Sequence, residues 1–178
     1  MIATTIERPR ADEHVEYFGR YISKVPDNVD LISLLREQAM ETVSLLNGLT
    51  PAQADFAYAP GKWTIKQVIG HIVDAERVFV YRAMCFARQD QTALPSFDEN
   101  AYVDNANFHE RTLTDLLEEF QVVRSATIHF AKSLDAESLA RVGIASKNPI
   151  SVRALLYIVA GHERHHVELF RERYLPGI

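Results

Sequence analysis

The sequence predicts an all-α protein built as a four-helix bundle. Three observations carry that prediction. Four stretches repeat apolar residues at helical spacing, no run alternates as a strand would, and the connections are of intermediate length. At 178 residues, 47% hydrophobic and 24% charged, the chain has the size and composition of one soluble domain with a real core.

Residues 1–29 show weak periodicity and mixed charge. They read as an N-terminal arm packed on the body through Tyr17, Phe18, Tyr21 and Ile22. Residues 30–178 form the bundle domain. The first helix runs from about Asp30 to Asn47, with Leu31, Leu34, Leu35, Leu45 and Leu46 on one face and Gly48 as its stop. The second runs from about Thr64 to Gln89. Thr64 and Gln67 make a capping box, and Trp63 with Val68 a hydrophobic staple. The third spans about Thr112 to Leu134, with Leu113, Leu116, Leu117, Phe120, Val123 and Phe130 inward. The fourth spans about Ser151 to Tyr174, capped by Ser151 and followed by Pro176. Short helix starts are expected at Thr50-Pro51-Ala52-Gln53, at the box Ser96-Phe97-Asp98-Glu99, and from Asp135 through Ala140. The pattern alone leaves the order of the helices open, because the long connections permit crossovers.

Charge and cysteine content exclude several roles. A net charge of −5 argues against a nucleic-acid partner, which needs a basic surface. No apolar run approaches the roughly 20 residues of a membrane span, and residues 1–18 carry no signal-like apolar core. The expectation is a cytoplasmic protein with no membrane partner. The single cysteine, Cys85, excludes an intrachain disulfide and any site of several thiolates. It reads as a small packed hydrophobe.

Three of the seven histidines lie in Gly161-His162-Glu163-Arg164-His165-His166. His162 and His166 stand about 40° apart on a helix, one turn apart along its axis, so both imidazoles can reach one ion. His165 is the rival partner. The apolar face formed by Leu155, Ile158, Val159, Leu169 and Phe170 centres near His166, whereas His165 borders the polar arc of Arg153, Arg164, Glu168 and Arg171. A third ligand would complete the set common in catalytic zinc sites, and His71 on the second helix is the candidate. Asp74 or Gln67 would orient its imidazole. The plain alternative is a set of hydrogen-bonded core histidines, and the pattern leaves both open. His14, His109 and His129 are expected to be solvated.

The segments Pro60-Gly61-Lys62-Trp63-Thr64-Ile65-Lys66-Gln67-Val68-Ile69-Gly70-His71 and Ala160-Gly161-His162-Glu163-Arg164-His165-His166 resemble the DinB/YfiT-like family. So do Phe97-Asp98-Glu99-Asn100-Ala101-Tyr102 and the third helix with Leu117-Glu118-Glu119-Phe120 and Arg124. The likeness covers residues 30–174. It implies a metal-binding four-helix bundle in up-down-down-up order, often a homodimer, with one divalent ion, zinc or nickel, on His71, His162 and His166. The activities it implies divide between metal-dependent hydrolases and transferases that use a low-molecular-weight thiol such as bacillithiol or mycothiol.

Other polar residues fall on inward faces. Glu76 and Arg124 are expected to form a buried ion pair, with substrate contact as the alternative. Arg82 lies roughly 16 Å along the axis from His71 and is expected in a salt-bridge network. Gln38 and Thr42 interrupt the first helix's apolar face and either bond within the core or face the metal pocket. Val80, Tyr81 and Met84 lie off the second helix's core stripe and suggest a two-fold dimer through that helix. Two functions compete. One is a metal enzyme on a small-molecule substrate, leaning slightly toward thiol transfer because Asp74 and Glu163 are the nearest carboxylates and neither is assigned an inward direction. The other is a non-catalytic metal- or small-ligand-binding stress-response protein.

Overall fold

The computed structural model describes residues 5–178, so residues 1–4 of the arm lie outside it. Eight α-helices follow in order: α1 (Glu16–Ile22), α2 (Leu31–Leu46), α3 (Pro51–Ala54), α4 (Ile65–Ala87), α5 (Glu99–Asn105), α6 (Leu113–Lys132), α7 (Ala136–Ala140) and α8 (Val152–Leu169). A hairpin of β1 (Val142–Ala145) and β2 (Asn148–Ser151) precedes α8. Beyond α8 the chain continues as a π-helical turn, Phe170–Tyr174.

The long helices α2, α4, α6 and α8 form the bundle. The caps expected at Thr64 and Ser151 are present, and Asp30 and Thr112 act in the same way. Asp30, Thr64, Thr112 and Ser151 each accept a hydrogen bond from a backbone N–H of the first turn. The start of α5 differs from expectation: Asp98, not Ser96, caps it, accepting from Asn100 and Ala101. The helix directions follow from side-chain contacts. Gln38 donates to the Ala160 carbonyl and Thr42 to Glu163, so α2 and α8 advance together. Tyr174, past the end of α8, bonds the Trp63 carbonyl at the start of α4, so these two are antiparallel. Lys66 of α4 bonds the His109 carbonyl just before α6, so α4 and α6 run the same way. The order is therefore up-down-down-up, with α4 packed between α8 and α6 and α2 closing the ring against both.

The hairpin is a correction to the strandless reading. Its register pairs Val142 with Ser151 and Ala145 with Asn148. The two turn residues, Ser146 (φ 52°) and Lys147 (φ 68°), both take the left-handed conformation. A Ser-Lys pair is a poor signal for such a turn, where Asn-Gly would announce it, and Pro149 inside β2 argues against a strand.

Four buried polar groups cross the bundle's middle. Arg124 of α6 donates to Glu76 of α4 through Nε (3.0 Å) and Nη2 (2.9 Å), and to Glu163 of α8 through Nη1 (2.6 Å). The same Nη1 reaches the Leu35 carbonyl of α2 (3.0 Å), and Thr42 of α2 donates to Glu163 (2.6 Å). Burial presses the Arg124 pKa down, but Glu163 and Glu76 outweigh it and the pKa is raised. Glu163 is raised by its burial, against the pull of Arg124. The expected Glu76–Arg124 contact is thus half of a larger cluster, and Gln38 and Thr42 serve the core. Removing one partner of such a cluster strands a buried charge.

The arm is packed on the body. Ile6, Tyr21, Ile22 and Val25 belong to the same apolar core as α8. Buried Glu13 receives hydrogen bonds from Ser151 and Arg153 (2.7 Å each). Burial opposes its charge, yet these bonds prevail and hold its carboxyl at about 2. Helix α1 lies so close to α8 that a Cβ on Gly161 would stand 1.9 Å from the Tyr21 carbonyl oxygen. Tyr81 and Met84, from the patch expected at a dimer interface, are exposed on α4.

Gly161 therefore generates a prediction. Gly→Ala at an open helix position gains about 1 kcal/mol. Gly161→Ala should instead lose about 1–3 kcal/mol, because α1 must lift from α8. Urea unfolding measures this, and a stabilised variant would refute the close approach.

Candidate metal centre

His71 is set by the second turn of α4, whose start the Thr64–Gln67 capping box fixes. His162 and His166 are set one turn apart on α8. The three side chains converge. His162 Nε2 lies 3.0 Å from His71 Nε2 and 3.2 Å from His166 Nε2, and the nitrogens all fall within 4.8 Å of one another. Ligands about 2.0–2.1 Å from a tetrahedral ion stand roughly 3.3 Å apart, so the spacing suits one metal. All three residues are buried. His165 points off the cluster, half-buried against the Tyr21 ring.

The donor set itself fits a cation. Each neutral imidazole has one N–H and one lone pair. Two neighbours here compete for the single Nε2 lone pair of His162. An ion at the convergence point accepts all three lone pairs and leaves each proton on Nδ1. His166 Nδ1 is sealed from solvent and has no hydrogen-bond partner among the described residues. Burial is the first cause that keeps the three rings neutral. It lowers His71 to about 4 and takes His162 and His166 well below the usual 6.5, with the neighbouring rings adding to the effect.

The expected orienting residues are a correction. The Gln67 amide oxygen is occupied by the Thr64 backbone N–H (2.8 Å), because the capping box uses it. Asp74 pairs with Arg77 (3.5 Å), its pKa raised by burial. Neither bonds His71. Aromatic rings position the imidazoles instead. Trp63 lies against His71 (4.8 Å between centroids), Tyr21 against His162 (5.3 Å) and Phe79 against His162 (5.9 Å). Trp63 was legible as a staple, but Tyr21 could not be placed, since nothing local links the arm to α8.

His71 and His162 open into a cavity of about 240 Å³. Helix α1 walls it with Phe18 and Tyr21, α4 supplies Ala75, Phe79 and Arg82, and the hairpin supplies Ser146. A larger depression of about 740 Å³ lies between the arm and α2, but the three histidines are the sole metal-ligating group among the described residues, and they are elsewhere. Arg82 joins no salt bridge among the described residues, contrary to expectation. Cys85 is buried, as a packed hydrophobe would be.

The geometry predicts a divalent ion bound in about 1:1 ratio. His71→Ala, His162→Ala and His166→Ala should each lower metal content sharply, and His165→Ala should leave it unchanged. Atomic-emission analysis of the four variants decides. Acid supplies a second arm. Each folded-state pKa lies below the unfolded 6.5. The unfolded chain therefore binds more protons once pH falls below 6.5. Stability of the chelated protein is full above that pH and declines toward 4. A denaturation midpoint flat from pH 7 to 5 would contradict buried neutral imidazoles.

A 24% identical relative from Geobacillus thermodenitrificans, aligned over 80% of this chain and 82% of its own, bears the name "Putative metal-dependent hydrolase". A relative from Oceanobacillus iheyensis with the same name is also 24% identical, over 68% and 70% of the two chains. The fold matches YfiT from Bacillus subtilis, whose structure is described as "a probable metal-dependent hydrolase with an unusual four-helix bundle topology", at a TM-score of 0.72 with 20% identity, covering 93% and 92% of the chains. The sequence profile of the DinB superfamily matches residues 34–170, and the chain belongs to that superfamily.

Proposed function

We propose that this protein is a metal-dependent enzyme that acts on a small molecule, and that the reaction is hydrolysis. The observation that carries the reading is the convergence of three buried, neutral imidazoles, two of which, His71 and His162, line a cavity. His71, His162 and His166 would hold the ion, zinc or nickel by the chemistry of the donors. A divalent ion held there supplies Lewis acidity, which polarises a substrate oxygen or lowers the pKa of a bound water or thiol. The chain's own contribution is positional. Trp63, Tyr21 and Phe79 fix the rings and exclude bulk water. The cavity is smaller than the roughly 300–1,000 Å³ of drug-sized sites and so selects small substrates. The names of the two bacterial relatives favour hydrolysis.

One observation favours thiol transfer as a second reading. Hydrolysis is helped by a carboxylate base beside the ion. Glu163 is committed to Arg124 and Thr42, and Asp74 to Arg77. A low-molecular-weight thiol needs no such base once its pKa is lowered.

The test is a panel of activated esters and amides beside a thiol-transfer assay with electrophilic acceptors, each run with zinc and with nickel. Turnover should require the metal and fall by about a hundredfold or more in His162→Ala. Ester or amide turnover confirms hydrolysis, and thiol conjugation alone selects the second reading. Turnover equal in the chelated protein and in His162→Ala would refute both.

A further inference from the structure

We infer that Arg82 reads an anionic group of the substrate at the end of the cavity opposite the histidines. The inference deepens the proposed function and rests on the same cavity. Along α4, His71, Ala75, Phe79 and Arg82 follow one another at offsets of four, eight and eleven residues. They form one stripe on the cavity wall. Eleven residues rise about 16 Å, and a long helical side chain leans back toward the helix N-terminus. The guanidinium therefore sits closer to the histidines than its Cα does. Ala75 supplies the open floor between the two ends, and Phe79 lies along the way.

Arg82 is 4% exposed. A cation that buried ordinarily has a carboxylate partner. Among the described residues none lies within ion-pair distance of it, whereas Arg124, more deeply buried still, holds two. Its recorded hydrogen bonds leave from one nitrogen, Nη2, to the Pro95 carbonyl (2.7 Å) and to Ser146 Oγ (3.3 Å). Those bonds clip the loop before α5 to the tip of the hairpin. A guanidinium has five N–H donors, and the clip uses only those of Nη2. Nε and Nη1 have no partner among the described residues, yet neither is sealed from solvent, and Arg82 stands where the histidine cavity meets a neighbouring one of about 280 Å³ beside the loop before α5. Burial presses the Arg82 pKa down, as befits a cation short of counter-charge.

Glu99 is the one carboxylate on the cavity's edge. It is exposed at the mouth and beyond ion-pair distance from Arg82. The Phe97 ring faces the guanidinium at 5.7 Å and offers no formal charge. A planar fork with free donors, set in an apolar wall, suits a carboxylate or phosphate oxyanion. The substrate class is thus a small organic anion with its charge at Arg82, an apolar middle along Phe79, and its reacting group toward the histidines.

Three probes separate the possibilities: 3-phenylpropionate, phenyl phosphate and the neutral 3-phenylpropionamide. They are titrated by calorimetry into the purified protein, Arg82→Gln and His162→Ala, and Arg82 Nε–H is followed by ¹H–¹⁵N NMR in the unsubstituted protein. One anion should bind about tenfold or more tighter than the amide, which identifies carboxylate or phosphate as the group recognised. The preference should vanish in Arg82→Gln, survive in His162→Ala, and be accompanied by a shift of the Arg82 signal. The NMR arm decides even if Arg82→Gln does not fold. Amide binding equal to both anions, no anion binding at millimolar concentration, or an unmoved Arg82 signal would overturn the inference. A preference lost in His162→Ala but kept in Arg82→Gln would place the anion at the ion, and would overturn the inference while leaving the metal reading intact.

Discussion

The bundle depends on one buried guanidinium. Arg124 touches Glu76 of α4, Glu163 of α8 and the Leu35 carbonyl of α2 from its own place on α6, so a single side chain bonds every long helix. Apolar packing tolerates small slides and rotations, whereas a charge cluster sealed from water does not, because each broken bond strands a group that cannot find solvent. Glu163 is the point at which this constraint reaches the functional site. It follows His162 directly on α8, about 100° around the helix. With Glu163 drawn to Arg124, His162 and His166 face α4, where His71 waits. Thr42, donating to the other carboxylate oxygen, fixes the same register from α2.

That rotation also explains the chemistry the histidines can perform. Three rings buried together stay neutral because charging any of them means placing a cation among apolar and aromatic neighbours and beside two other rings. Neutral imidazoles are ligands, and protonated ones are not. The fold by itself thus brings the three neutral rings together. The arm completes the site. Tyr21 sits on His162, and its backbone rests on the helix at Gly161, one residue before that histidine. Part of the cavity wall therefore comes from residues that precede the bundle.

Much of this was legible in the chain. The four helices, their caps and the convergence of His162 and His166 on one face follow from periodicity and from the arc of apolar residues around them. Arg124 and Glu76 were legible as a pair because both interrupt apolar faces. Glu163 was not, since it stands at the edge of the α8 arc and only the three-dimensional position of Arg124 draws it inward. Asp74 and Gln67 looked like partners for His71 by sequence offset, but a capping box and a surface arginine claim them. The hairpin carried too weak a turn signal, and the role of the arm depends on contacts with residues more than a hundred positions away. Local pattern fixes faces and ends, whereas long-range pairing decides which polar groups meet.

The central claim is that three imidazoles, and no carboxylate, hold one ion. X-ray absorption at the metal edge, on protein loaded with one equivalent of zinc, tests it most directly. The account predicts three imidazole nitrogens at about 2.0–2.1 Å, with the outer-shell scattering of three histidine rings and any remaining position filled by a light atom from solvent. A spectrum fitted by two rings or fewer, or by a protein carboxylate in place of one of them, would contradict it.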